Sequence, residues 1–196
     1  PEYIDEAIDF FGEDLGKNVT SPATKTLFDV NEESKHLSAK KQEIFHSVVA
    51  RVLWMMKRSR PDLETAISFL CTRVAYSTEE DWEKLRRLLK FLQQTKSDKR
   101  VIGAKSLTEL NTWIDASYAV HPNMRGHTGG VMSMGHGVIH ARAGKQKLNV
   151  KSSTEAEIVG LSEYLPYNIY IKNFMEEQGY VLKKNEVKQD NMSAIR

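Results

Sequence analysis

Thr128-Gly129-Gly130-Val131-Met132-Ser133-Met134-Gly135-His136-Gly137-Val138-Ile139-His140-Ala141-Arg142 is the stretch that decides the fold class. It reads as two extended segments, 128–134 and 138–142, about the tight turn Gly135-His136-Gly137, where glycine accepts positive φ. A preceding extended stretch over 107–114 ends at Asp115, which makes a three-stranded antiparallel meander. Downstream, Ser152-Ser153-Thr154-Glu155-Ala156-Glu157 places hydroxyl caps before acids and marks a helix start. Ile158, Leu161, Leu165, Ile169 and Phe174 continue an apolar face, and Gly179 closes the helix. Pro166 inside that run predicts a kink or two abutting helices. Residues 186–190 form a short strand, and 191–195 read as the first turn of another helix. Strands and helices in this order predict one mixed sheet with packed helices, an α/β fold over 101–196.

Upstream the period is helical. Phe45, Val48, Val49, Val52, Leu53 and Met56 lie on one helix face. Lys57-Arg58-Ser59-Arg60 ends that helix with favourable positive charge, and Pro61 with Asp62 and Glu64 opens the next. Leu63, Ala66, Ile67, Leu70 and Val74 form its buried stripe, with Cys71 beside it as a small core residue. Ser77-Thr78-Glu79-Glu80 reads as a capping box before a third helix, whose inner side carries Trp82, Leu85, Leu89 and Leu92. Lys84, Arg86, Arg87 and Lys90 lie largely elsewhere on it. Residues 41–100 are thus a helical unit with a basic exterior, and the acidic, turn-containing 1–40 is expected to be a loosely ordered lead-in.

Composition bounds the function. The 196 residues are 40% hydrophobic and 28% charged, which suits neither a disordered tail nor a membrane protein. No apolar run approaches the roughly 20 residues that span a bilayer. A lone Cys71 excludes a disulfide framework and a cysteine-based zinc site. No leader for secretion opens the chain, and Pro1 without a Met reads as the start of an internal piece of something longer. The net charge of +2 hides an asymmetry: residues 1–39 carry −6, 40–105 carry +7 and 106–196 carry +1. A basic middle block suits a polyanion such as nucleic acid, or is simply a solvated helix face.

Three acids stand where strands and helices meet. Asp115 ends the first strand of the meander, Glu155 lies in the first turn of the following helix, and Asp190 ends the last strand. Adjacent strands would set Asp115 and Asp190 side by side with the helical acid above them. Carboxylates so placed repel unless a hard divalent cation sits among them. Oxygen ligands select Mg²⁺ or Mn²⁺, and two such ions about 4 Å apart suit phosphodiester cleavage. Taken singly, each acid has a plainer role: a turn residue, a helix-dipole acid, an N-cap. The residues alone leave the choice between Glu155 and Glu157 open.

Trp113-Ile114-Asp115-Ala116-Ser117-Tyr118, His127-Thr128-Gly129-Gly130, Lys145-Gln146, Ser152–Glu157 as quoted and Gln189-Asp190-Asn191-Met192-Ser193-Ala194-Ile195 together resemble the ribonuclease H domain of copia-type LTR-retrotransposon polyproteins. Arg60-Pro61-Asp62-Leu63 and Asp81-Trp82-Glu83-Lys84-Leu85 resemble the end of the reverse transcriptase region in the same family. The resemblance implies catalytic, metal-holding Asp115, Glu155 and Asp190, with two Mg²⁺ ions (or Mn²⁺) hydrolysing the RNA strand of an RNA/DNA hybrid. It implies that 101–196 is a ribonuclease H-like sheet lacking its last elements, with a fourth carboxylate further along than Arg196. Arg142, Lys145, Gln146 and Lys147, and Arg86 and Arg87 on the basic helix, are the residues expected to bind nucleic acid. The implied partners are the hybrid, template-primer and the rest of the Pol polyprotein, with no membrane. The implied location is cytoplasmic, in virus-like particles, with the nucleus as the alternative. A non-catalytic ribonuclease H-like scaffold that positions template-primer is the rival reading. A transposase or integrase core would need a zinc motif or another acid spacing, and no Tyr-x-Asp-Asp polymerase motif is present.

Two other constellations are set aside. His127, His136 and His140 have zinc-like spacing but no cysteine partners, and read as strand and turn residues. Gly126, Gly129 and Gly130 lack the Lys-Ser/Thr ending of a phosphate loop.

Overall fold

A computed structural model describes residues 2–195. The chain divides into two compact units, residues 1–99 and 100–196.

The first unit is helical. α1 (Glu2–Phe11), α2 (Ala39–Ser59), a 3-10 turn (Pro61–Leu63), α3 (Glu64–Cys71) and α4 (Glu79–Gln94) follow in order. Ser38 caps α2, its hydroxyl accepting the Lys41 N–H. Thr78 and Asp81 form a reciprocal capping box at α4: each side chain accepts the other's backbone N–H, at 3.4 and 3.0 Å. Phe45, Val48, Val49, Val52 and Met56 of α2 pack with Leu63, Ile67 and Leu70, and with Trp82, Leu85, Leu89 and Leu92 of α4.

The expected loosely ordered lead-in over 1–40 is instead part of this core. Ile4, Ala7 and Phe11 are buried along one face of α1, and Leu15, Leu27 and Leu37 are buried beyond it. Phe11 stacks on Trp82 with ring centroids 4.4 Å apart, and Trp82 Nε1 donates to Glu13. The i, i+3, i+7 spacing of these α1 residues explains why an acidic segment holds a buried stripe. Its acids also meet the basic helices: Asp5 pairs with Lys96 at 3.0 Å, Glu6 with Arg51 at 3.8 Å, and Glu13 with Arg86.

The second unit is α/β. β2 (Glu109–Ser117), β3 (His127–Ser133), β5 (Val138–Lys145) and β6 (Lys184–Lys188) form a four-stranded sheet in the order β5-β3-β2-β6. β1 (Gly103–Ala104) pairs with β4 (Gly135–His136) as a separate small ribbon. β2, β3 and β5 are antiparallel, whereas β6 runs parallel to β2. A parallel neighbour needs a crossover, and α5 (Ser153–Glu177) supplies it. α6 (Met192–Ile195) follows β6.

α5 is one unbroken element of 25 residues, so Pro166 does not divide it. Its buried face is not the expected one. Ala156, Glu157, Gly160, Tyr164 and Asn168 face the sheet, whereas Ile158, Ile169 and Phe174 are about half exposed. Close approach is the reason: Gly160 lies against Ala116 and Thr128, and a Cβ on Gly130 would run into the Tyr164 ring. Small residues let the helix lie low on β2 and β3, and one large ring fills the gap. Leu110, Ile114, Met132, Met134 and Tyr164 form the core. An amide pair, Asn168 buried and Asn185 exposed, closes the other side. Asn168 donates to Thr112 Oγ1 and to Asn185 Oδ1, and Asn185 donates back to Asn168 Oδ1, each at 2.8 Å.

Candidate metal centre

β2 and β6 are parallel with Trp113 opposite Lys188. Continuing that register sets residue 115 beside residue 190. Asp115 lies inside β2, two residues before its end, and Asp190 lies two residues past β6. Ligands gather at the carboxyl ends of parallel strands in open α/β sheets, and this pair has that position.

α5 brings the third acid. Glu157 is buried, and its carboxylate meets those of Asp115 and Asp190, with one ligand oxygen from each lying within 4.8 Å of the others. Among the described residues no other set of three His, Cys, Asp or Glu side chains meets in this way. Glu155, the acid expected here from the resemblance, is elsewhere. It is exposed, and its Oε2 accepts the Lys151 N–H at 2.8 Å, while its own N–H donates to Ser152 Oγ at 3.2 Å. The correction is one of helix geometry. Two residues turn an α-helix by about 200°, so Glu155 and Glu157 point to opposite sides. Glu157 shares the sheet-facing row with Gly160, Tyr164 and Asn168; Glu155 supports the helix start.

Burial raises the Glu157 pKa. The Gln189 hydrogen bond opposes this, Asp115 and Asp190 push it further up, and the Ala116 backbone bond opposes again without cancelling the rise. Gln189 braces the group from both ends. Its Nε2 donates to Glu157 Oε2 at 2.9 Å, and its Oε1 accepts the N–H groups of Asp190 and Asn191 at 2.8 and 3.2 Å. The sequence reading did not give Gln189 this role, although it lies directly before Asp190. Oxygen-only ligands with crowded negative charge fit a hard divalent cation, which would relieve the repulsion that lifts Glu157.

The expected nucleic-acid residues fare differently. Gln146 is fully buried and belongs to the scaffold, its Nε2 donating to Thr128 Oγ1 and Ala156 O at 3.0 and 2.8 Å. Arg86 is paired with Glu13 and Glu83, and Arg87 Nη2 donates to Ser21 Oγ. Both arginines are engaged within the helical unit. Arg142 and Lys145 lie in β5 and Lys147 just beyond it, lining a cleft beside α5 with Thr128, Glu163 and Tyr167. His127 and His140 do not converge: His127 Nδ1 lies 3.0 Å from His121 Nε2, and His140 Nδ1 lies 2.8 Å from Tyr164 OH. No helix of the described residues is long and apolar enough to cross a membrane.

Similar sequences occur in plant transposons. The chain is 27% identical over 201 residues to the retrovirus-related Pol polyprotein from transposon TNT 1-94 of Nicotiana tabacum, covering 99% of this chain and 15% of that polyprotein. It is 32% identical over 100 residues to the retrovirus-related Pol polyprotein from transposon RE2 of Arabidopsis thaliana, covering 50% of this chain and 7% of that one. It is also 30% identical over 118 residues to secreted RxLR effector protein 161 of Plasmopara viticola, covering 60% of this chain and 83% of that protein. No family model matches the chain, and no solved structure matches it.

Proposed function

The chain belongs to the copia-type retrotransposon Pol polyproteins, and on that premise we propose that residues 100–196 act as a ribonuclease H-like nuclease on RNA/DNA hybrids. The observation that carries this reading is the meeting of Asp115, Glu157 and Asp190 at the carboxyl ends of two parallel strands. In the same reading residues 1–99 are the end of the reverse transcriptase region, and the partners are template-primer and the remainder of the polyprotein.

Asp115 and Asp190 are exposed and offer oxygens to solvent, while Glu157 closes the cluster from the helix side. Gln189 holds the Glu157 carboxylate toward the strand ends and fixes the backbone that carries Asp190. Asp115, Glu157 and Asp190 would hold Mg²⁺ or Mn²⁺, which would supply activation of a water and charge neutralisation at the leaving oxygen of the phosphodiester. Glu155 has no part in this set; its carboxylate stays with the helix cap.

The test pairs metal binding with cleavage. Mn²⁺ binding followed by electron paramagnetic resonance should be lost in Glu157→Gln and kept in Glu155→Gln. Cleavage of a labelled hybrid should follow the same split and require Mg²⁺ or Mn²⁺. A wild type that binds hybrid but neither binds Mn²⁺ nor cleaves would favour the non-catalytic scaffold.

A further inference from the structure

We propose that the cleft between β5 and α5 is a subsite for an unpaired nucleic-acid strand, with phosphates on Arg142, Lys145 and Lys147 and a base stacked on Tyr170 beside Tyr167. The inference rests on the nucleic-acid function proposed above and adds to it a place for single-stranded substrate away from the carboxylates.

Two hollows adjoin along this edge. One, of about 350 Å³, holds the three cations and Glu163. The other, of about 570 Å³, is lined by His140, Pro166, Tyr167, Tyr170 and Ile171. Pro166 and Tyr167 wall both, so the cationic hollow has the aromatic one as its neighbour. Glu163 is the single opposing charge of the first hollow, and one of its oxygens accepts the Thr128 hydroxyl at 3.2 Å.

The aromatic wall is already assembled. The His140 ring stacks on Tyr167 at 4.8 Å and 25°, the Tyr164 hydroxyl meets His140 Nδ1, and the Arg142 guanidinium lies 5.2 Å from the Tyr167 ring centre. Tyr170, one turn further along α5, is 67% exposed and contributes nothing to the core. An exposed ring at the end of a row of fixed rings and cations matches a chain of alternating phosphates and flat bases. Stacking on such a ring favours binding by about 5- to 150-fold per base and tolerates any sequence. In a duplex the base faces cover one another, so the exposed Tyr170 ring stacks only on an unpaired or terminal base. An acidic peptide would satisfy the cations but leave the Tyr170 face unused.

The cleft is also separate from the carboxylates. β5 is two strands from β2, about 10 Å. Tyr170 lies thirteen positions beyond Glu157 along α5, about 20 Å.

Fluorescence anisotropy on the full chain in chelator tests this with three probes: labelled oligo(dT), an abasic oligodeoxynucleotide of equal length, and polyglutamate. Wild type should bind oligo(dT) at least about 5-fold tighter than the abasic strand. Tyr170→Ala should reduce oligo(dT) affinity to the abasic level, leave abasic binding unchanged and leave the circular dichroism spectrum intact. Arg142→Gln with Lys147→Gln should weaken both strands and flatten the logarithmic salt slope by about 1.4. Equal affinity for the two strands, an unaffected Tyr170→Ala variant, or polyglutamate binding as tight as oligo(dT) would overturn the proposal. Asp115→Asn separates the two readings. Unchanged cleavage by that variant would overturn the nuclease, whereas its oligo(dT) binding should equal wild type, and loss of that binding would overturn the separate subsite.

Discussion

In the helical unit the acids of the N-terminal segment meet cations: Asp5 meets Lys96, Glu6 meets Arg51, and Glu13 meets Arg86. In the sheet unit Asp115, Glu157 and Asp190 meet one another. The pKa values record the difference. Burial pushes Glu13 up, but the Trp82 hydrogen bond and the Arg86 guanidinium outweigh it and bring its pKa down. Burial also raises the Glu157 pKa, and there neighbours of its own sign push it further up. Opposite charges paired within a fold hold its shape, whereas like charges kept together mark a candidate functional site. The contrast also reassigns the basic block at 40–105, whose partner is in part the acidic 1–39 of the same chain.

The largest effect should come from the unresolved cluster. Asp115→Asn and Glu157→Gln should each lower hybrid cleavage at least about 100-fold, while Glu155→Gln stays within a few-fold of wild type. Without divalent metal the first two variants should melt at or above the wild-type temperature, because each removes repulsion. A lower melting point in both would erase the contrast between the units. Next is the apolar anchor of the helical unit: Phe11→Ala should cost about 3–5 kcal/mol in urea unfolding, since it empties the stack on Trp82. If 1–40 were a loose lead-in, the cost would be near zero.

Asn168→Ala should cost about 2–3 kcal/mol by leaving Thr112 and Asn185 without their buried partner. A smaller effect concerns acid. Burial, with the Lys145 charge added, holds His121 at about 4, and burial with His121 beside it holds His127 at about 4, against 6.5 when unfolded. Both folded values lie below the unfolded one, so this contribution is complete above pH 6.5 and is lost as pH falls toward 4. Urea midpoints across that range should fall in wild type and flatten in His127→Gln. The smallest change is expected from Glu13→Gln, about 1 kcal/mol or less, because its pairs with Arg86 and Lys41 are only partly shielded from water.

Apolar spacing predicted the helical unit well because there burial and hydrophobicity coincide. Of Phe45, Val48, Val49, Val52, Leu53 and Met56, read as one stripe, all are buried but Leu53, which is half-buried against the same core. The same rule failed on α5, where Ile158 and Ile169 face outward and Gly160, Asn168 and Glu157 face in. Hydrophobicity cannot mark a helix face set by close approach and by the buried Asn168 amide. Helical phase can: Glu157, Gly160, Tyr164 and Asn168 recur at three- and four-residue steps, and that row selects Glu157 over Glu155. The acidic beginning of the chain misled in the opposite sense, since its charge drew attention from Ile4, Ala7 and Phe11. Gln189 carried no periodic signal. Its role exists only once β6 lies beside β2.

The Asn168–Asn185 pair has a consequence for fidelity. β6 is an edge strand with little apolar grip, so few packed side chains oppose a one-residue slip of its pairing. Such a slip would turn every side chain to the opposite face of the sheet. A shift of register would break the Asn168–Asn185 hydrogen bonds, so they favour the observed alignment and, with it, the placement of Asp190 beside Asp115.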